Sequence, residues 1–415
     1  MSAQIDAPKY TYLKRGVYYF VIAMFSLQAS LTSGANWNTK TSDQKVKSQP
    51  TVDKWYESVW GQNNIPEKLA LSLSAVGLNS IANWTGCRAS GSAGDPQYLA
   101  EQILSDGWSH LSFPICVDNY FTPDWDLKDD LVIRKARAMR KQILALNEKF
   151  PNKAFVVIAK SRDWVGGWSR NKVNSTLVYE AFETNQKARE SYYQLWKIWA
   201  EELKDVPEDS LAFGIMNEPE FHKRGFGAAD RWAEYAKEII GAIRAVSPDR
   251  VILFEGVNKS VVGRGNSPSS MSKILPFDRI IYGFHFYEPY DWTHRKGKGG
   301  KEPSIGILQK AKSTMTSLQN FSERHNVPVM LSEVGVWGPS FNAKGEIIQG
   351  VSFEERAKFA DVIYQNTVPF NIGVTWWAVH DQTTPYGGSC CKMQNVLNPD
   401  PALWSALRLP PPEFK

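Results

Sequence analysis

From residue 75 onward the chain alternates between two kinds of apolar pattern. Short, nearly continuous apolar runs fall at residues 75–82, 110–116, 154–160, 211–216, 251–256, 280–286, 327–332 and 373–377. They are too short for ordinary helices and are apolar on consecutive positions, as strands buried on both faces are. Between them lie longer stretches with helical periodicity, at 97–105, 131–148, 188–203, 229–245, 307–325 and 353–365, and 398–409 closes the chain. Eight strands alternating with helical stretches in one uninterrupted series predict a (β/α)8 TIM barrel, a single domain with long βα loops spanning 55–415. A doubly wound sheet would carry a Gly-rich phosphate turn after its first strand, and Asn83-Trp84-Thr85-Gly86 is not one.

The first 54 residues read differently. Lys14 and Arg15 precede an apolar run at 17–27, and Ser33-Gly34-Ala35 offers the small residues a signal peptidase cuts after, so 1–35 reads as a secretory signal peptide. Ser26 and Gln28 interrupt the run before it reaches the ~20 apolar residues that spanning requires, so no stable membrane span is expected after cleavage. Residues 36–54 are a polar spacer without apolar periodicity. The 43% hydrophobic and 22% charged composition of the 415 residues is that of a chain with a large core. Loss of Lys9, Lys14, Arg15 and Asp6 with the signal lowers the formal charge from +5 to +3, too little to imply nucleic acid as a partner. The expected form is a secreted monomer, and Cys87, Cys116, Cys390 and Cys391 could then form one or two bridges.

A barrel of this kind builds its reactive mouth from the carboxyl ends of the strands. The fourth strand ends in Asn217-Glu218-Pro219 and the seventh in Glu333, which places two carboxylates at one mouth. Glycosidic bond cleavage with retention needs that pair, one group to protonate the departing oxygen and one to attack the anomeric carbon from roughly 5–5.5 Å away. Alternation puts Val329, Leu331 and Glu333 on one face, expected to point inward. Asn217 and Glu218 are adjacent, so both reach the cleft only if the fourth strand ends irregularly. His285 and Tyr287 lie two apart on the sixth strand, and Gly373, Thr375 and Trp377 share a face of the eighth. Trp84, Trp164, Trp168, Trp292 and Trp337 follow predicted strands, and indoles suit the apolar faces of sugars, which points to an oligosaccharide or polysaccharide partner.

The ordered set Gly77-Leu78-Asn79, Asn83-Trp84, Asn217-Glu218-Pro219, His285-Phe286-Tyr287, Ser332-Glu333-Val334-Gly335 and Trp376-Trp377 resembles glycoside hydrolase family 5, the cellulase-like family of the retaining (β/α)8 clan. The resemblance runs from about residue 75 to the end of the chain. It implies Glu218 as acid/base, Glu333 as nucleophile, Asn217 as a donor to the sugar 2-hydroxyl, His285 and Tyr287 as supports and Trp377 as the floor of the sugar subsite next to the cleaved bond. Trp84, Trp168 and Trp337 are candidate sugar platforms. No metal or organic cofactor is implied. The chain departs from the family pattern at Ser112-Phe113, where an arginine is usual, and at 159–163, where a histidine is usual; Arg162 or Lys160 is expected to supply positive charge near Glu333.

The reading is a retaining endo-β-glycanase, glucan- or mannan-like. A non-catalytic sugar-binding barrel and a transglycosylase with the same site are the alternatives. Glu255, Glu288 and Asp381 also follow strands and compete for these roles, Glu255 for that of the acid, though such groups more often bind substrate hydroxyls or cap loops. The basic run at 294–301 reads as a solvated loop, or as a contact for an acidic polysaccharide. A bridge from Cys87 to Cys390 or Cys391 is expected from the closeness of the first and last loops.

Overall fold

A computed structural model of the chain describes residues 57–79, 96–160, 178–219, 227–257, 260, 274–294, 305–341, 347–378, 386–387 and 398–410. The signal peptide and spacer readings, Trp84, Trp168, Arg162, Asp381, residues 295–301 and the expected Cys87 bridge lie outside them. Cys116 is disulfide-bonded, and the other three cysteines also lie outside the described residues.

Eight parallel strands close into a barrel: β1 (Val76–Asn79), β2 (His110–Cys116), β3 (Ala154–Lys160), β4 (Leu211–Gly214), β5 (Val251–Glu255), β6 (Ile280–Phe286), β7 (Val329–Val334) and β8 (Gly373–Trp376). Each pairs with its neighbours in chain order and β8 closes onto β1, with Val76 opposite Val374. The (β/α)8 expectation holds, and β2, β3 and β6 have the expected bounds. β7 starts two residues later than expected, directly after Pro328, a residue with no N–H to donate to a ladder. The closing helix shrinks to Pro401–Ala406. Asp400 caps it by accepting from the N–H groups of Ala402 and Leu403, while Asn398–Pro399 instead pairs with Tyr386–Gly387.

Alternation divides the strand residues into two apolar clusters. Ala154, Val156, Ile158, Ala212, Val251, Leu253, Ile281 and Met330 fill the barrel interior. Phe155, Val157, Phe213, Ile252, Phe254, Val329 and Leu331 face the surrounding helices. The inner space is tight: a Cβ on Gly77 would lie 2.2 Å from the His110 ring, and His110 fills the place a side chain there would take. Trp60, Leu69 and Leu73, from helices Val59–Gln62 and Glu67–Leu73, belong to the same inner cluster and plug the N-terminal end.

Helices also steady the strand ends that carry the candidate site. On Gln186–Glu202, Tyr192 Oη and Trp196 Nε1 donate to the Ile215 carbonyl at 2.7 and 3.0 Å, just past β4. On Ala228–Arg244, Trp232 Nε1 donates to the Glu255 carbonyl at 2.7 Å, and its ring stacks on Phe254. These indoles are packing groups, with their one polar atom used on the backbone at the strand ends.

Candidate active site

The C-terminal mouth gathers polar side chains that continue the inward faces of the strands. β3 ends at Lys160, β5 at Glu255, and β6 continues through His285 to Tyr287, all in phase with interior residues. β4 stops at Gly214, and Glu218 follows with φ +48°, in the left-handed region where a non-glycine residue pays about 1–2 kcal/mol. The irregular ending anticipated for Asn217 and Glu218 is present. The Asn217 N–H donates to the Ala159 carbonyl at 2.7 Å, tying this segment to β3.

β7 contradicts the parity expected of it. Val329 and Leu331 face the helices, while Met330 lies in the barrel interior. Strict alternation would therefore turn Glu333 outward. Between Phe284 and His285 on β6 the partners on β7 advance from Leu331 to Glu333, and between Val374 and Trp376 on β8 they advance from Leu331 to Val334. One extra residue on β7, against both neighbours, makes a bulge that directs Ser332 and Glu333 inward together. Glu333 is where the sequence places it, for a reason that alternation alone would not give.

His285 binds the two glutamates to each other. Its Nδ1–H donates to Glu218 Oε1 at 2.7 Å and lies 3.4 Å from Glu333 Oε2, while its Nε2–H donates to Glu255 Oε1 at 3.0 Å. Burial opposes charge on this ring, but Glu255, Glu333 and Glu218 outweigh it and hold His285 well above the ordinary imidazole value. Tyr287 Oη donates to Glu333 Oε2 at 2.9 Å, and Lys160 Nζ pairs with Glu333 Oε1. Lys160 is wholly buried and also sits 3.8 Å from the centroid of the Trp377 ring, a cation–π contact at the mouth. Of the two cations expected beside Glu333, Lys160 is in place.

The carboxyl groups differ in environment. Burial pushes Glu218 up from the ordinary carboxylate value; Glu333 and Glu255 push it further, and the pull of His285 does not cancel this. Glu255 is equally buried, yet His285, the Glu218 N–H and Ser332 Oγ bring it down. Glu255 is therefore neither an alternative acid nor a hydroxyl binder. It is 1% exposed and its oxygens are taken up by Glu218 N–H (2.8 Å), His285 and Ser332 (2.7 Å). Ser332 had no sequence signal beyond its place before Glu333. Glu288 accepts from the Tyr290 N–H at 3.4 Å and so caps a turn, as expected.

Of the remaining candidates, Trp337 is half-buried, with its ring 5.5 Å from that of His294, which stacks on Tyr290 and meets the edge of Tyr287. Trp292 faces the core instead, 5.4 Å from Phe359. Ser112 is buried on β2 opposite Asn79. One atom each of Glu218, His285 and Glu333 lie within 4.8 Å of one another, among the described residues a possible ligand set for a metal ion. Because both His285 nitrogens point as donors at carboxylates, the trio is better satisfied by its own hydrogen bonds.

The sequence of the cellulase family, glycosyl hydrolase family 5, matches residues 74–383. The chain belongs to this family. Among similar proteins, endoglucanase H of Acetivibrio thermocellus is 24% identical over 364 residues, covering 76% of this chain and 36% of that protein. Endoglucanase 3 of Fibrobacter succinogenes is 29% identical over 212 residues, covering 47% and 28%. The chain thus spans about a third of the length of these two relatives. Cellodextrinase A of Ruminococcus flavefaciens is 24% identical over 271 residues, covering 63% and 72%. A hyperthermophilic endo-β-1,4-glucanase solved with substrate superposes with a TM-score of 0.61 at 17% identity, covering 82% of this chain and 99% of that one. Thermotoga maritima Cel5A with mannotriose gives 0.58 at 16%, covering 82% and 99%. The last two establish likeness of fold.

Proposed function

We propose that this family 5 protein is a retaining endo-β-glycanase acting on a glucan- or mannan-like chain. The observation that carries the reading is the pair Glu218 and Glu333, which meet at the same Nδ1 of one imidazole, with an oxygen of each within 4.8 Å of the other. Inverting enzymes need roughly 6.5–9.5 Å between carboxyl groups to admit a water, and retaining ones about 5–5.5 Å. Glu218, with its raised pKa, gives its proton to the glycosidic oxygen. Glu333, gripped at both oxygens by Lys160 and Tyr287, attacks the anomeric carbon as the bond to that oxygen breaks. The leaving sugar departs as an alcohol and Glu333 becomes a glycosyl ester. Water then attacks the same carbon, passing its proton to Glu218 and freeing the Glu333 carboxylate. Two inversions give net retention.

The substrate class is supported by the relatives named as endoglucanases and a cellodextrinase, by the mannotriose complex of a similar fold, and by the indole of Trp377 at the mouth. The sugar-binding alternative was prompted by the missing arginine and histidine, and the Lys160–Glu333 pair removes much of its ground. A 2-fluoro glycoside decides between them. The expected result is a stoichiometric ester located at Glu333 by peptide mass spectrometry; binding with neither ester nor turnover would sink the enzymatic reading.

We also propose that residues 1–35 direct secretion and are removed. Expression with the leader intact should yield secreted protein whose intact mass and N-terminal sequence begin after Ala35. Retention in the cell with Met1 in place would refute this.

A further inference from the structure

We infer that Glu255 is a positioning residue for the acid/base group, holding the Glu218 main chain and the His285 ring through a single buried carboxylate. The inference rests on Glu218 being the acid. Glu255 ends β5 in phase with Val251 and Leu253 and is 1% exposed, with both oxygens turned to protein donors. Its two oxygens take hydrogen bonds from three elements: Oε2 from the Glu218 N–H after β4, and Oε1 from His285 Nε2 on β6 and Ser332 Oγ in the β7 bulge.

Each bond fixes something the chemistry needs. The Glu218 N–H belongs to a residue at φ +48°, a conformation that persists only when its surroundings hold it there. The bond to Nε2 orients the ring whose other nitrogen touches both reacting carboxyl groups and gives its charge a partner. The bond from Ser332 joins the same carboxylate to the residue before Glu333. Even the neighbouring backbone is shaped to admit it: a Cβ on Gly283 would lie 2.8 Å from Ser332 Oγ and 3.0 Å from Glu255 Cγ.

Among the described residues, the charged groups in contact around it come from β3 to β7. Lys160 on β3 and His285 on β6 are the cations among them, and Glu218, Glu255 and Glu333, after β4, on β5 and on β7, are the carboxyl groups, with the Tyr287 hydroxyl beside them. Two cations balance two carboxylates, and the third carboxyl group is most stable carrying a proton. Glu255 is the carboxyl group among them whose oxygens accept from three protein donors, an arrangement that favours its charged form and leaves the proton to Glu218.

Glu255→Gln preserves shape but replaces one of the two accepting oxygens with an amide NH2, which must then face a group that already donates, the Glu218 N–H or His285 Nε2. A misplaced acid hurts most when the leaving group needs a proton, so the diagnostic measurement is leaving-group dependence in a series of aryl glycosides. With Glu255→Gln, kcat/KM on substrates with poor leaving groups should fall about 10²-fold while a dinitrophenyl glycoside stays within about threefold of wild type. Ser332→Ala, which removes one of the three bonds, should show the same trend more weakly, and it carries the test if Glu255→Gln does not fold. An equal fall on all substrates, or no fall on any, overturns the proposal, because a purely structural residue would not discriminate among leaving groups. Glu218→Ala measured alongside tells two failures apart. A steep dependence there with none in the Glu255 and Ser332 variants overturns the role of Glu255 alone; no dependence in any of them overturns the acid assignment as well.

Discussion

Glu333→Ala and Glu218→Ala are expected to be rescued by azide with opposite stereochemistry. Removing the nucleophile should lower kcat by about 10⁴-fold or more, and removing the acid by about 10²–10⁴-fold on substrates with poor leaving groups. Azide is a small anionic nucleophile that needs no general base. In Glu333→Ala it can occupy the space left on the face opposite the leaving group and attack once, so a β-glycoside should give the α-glycosyl azide. In Glu218→Ala, with an activated leaving group, Glu333 still forms the glycosyl ester. Azide then enters from the side Glu218 has vacated, and the second inversion gives the β-azide. Proton NMR of the anomeric coupling distinguishes the products. The same anomer from both variants, or the two anomers exchanged, would contradict the roles assigned at the β4 and β7 ends.

The barrel interior should also become a source of acid lability. His110 is wholly buried in the space beside Gly77, with Nδ1 bonded to the Ser72 carbonyl at 3.0 Å and Nε2 to Thr375 Oγ1 at 2.9 Å. Burial lowers its pKa from 6.5 to about 4, with the Ser72 carbonyl working against the shift and Lys153 adding to it. Between those values the unfolded chain takes up a proton that the folded chain refuses. The contribution is fully present above pH 6.5 and is lost as pH falls towards about 4, a loss of about 3 kcal/mol. Glu218 and His285 shift upward and act in the opposite sense, so the effect must be read as a difference between proteins. His110→Gln can still donate to Ser72 and accept from Thr375. Urea unfolding at pH 7 and pH 4 should show the variant losing about 3 kcal/mol less than wild type between the two. Equal losses would mean that His110 is not what titrates.

The barrel was legible because buried parallel strands impose continuous apolar runs on the sequence, and both the number and the order of strands follow from them. Lys160 was legible from chemistry, as a cation at a strand end where Glu333 needed one. What sequence could not convey was the detail that depends on pairing. The β7 bulge leaves no composition signal, since Val329-Met330-Leu331-Ser332 reads the same in either register. Glu255 looked like a competitor for the acid role because a lone glutamate at a strand end says nothing about whether its oxygens face solvent or three buried donors. Trp292 resembled the other loop indoles, and only its contact with Phe359 assigns it to the core.

The extra residue in β7 gives strand length a meaning that composition lacks. A ladder that is perfectly regular from Val329 to Val334 would have the same composition, yet it would leave the Glu333 carboxylate among the helices and turn Val334 inward in its place. The barrel gives up a regular ladder at one position, and that single irregularity is what turns the Glu333 carboxylate into its mouth.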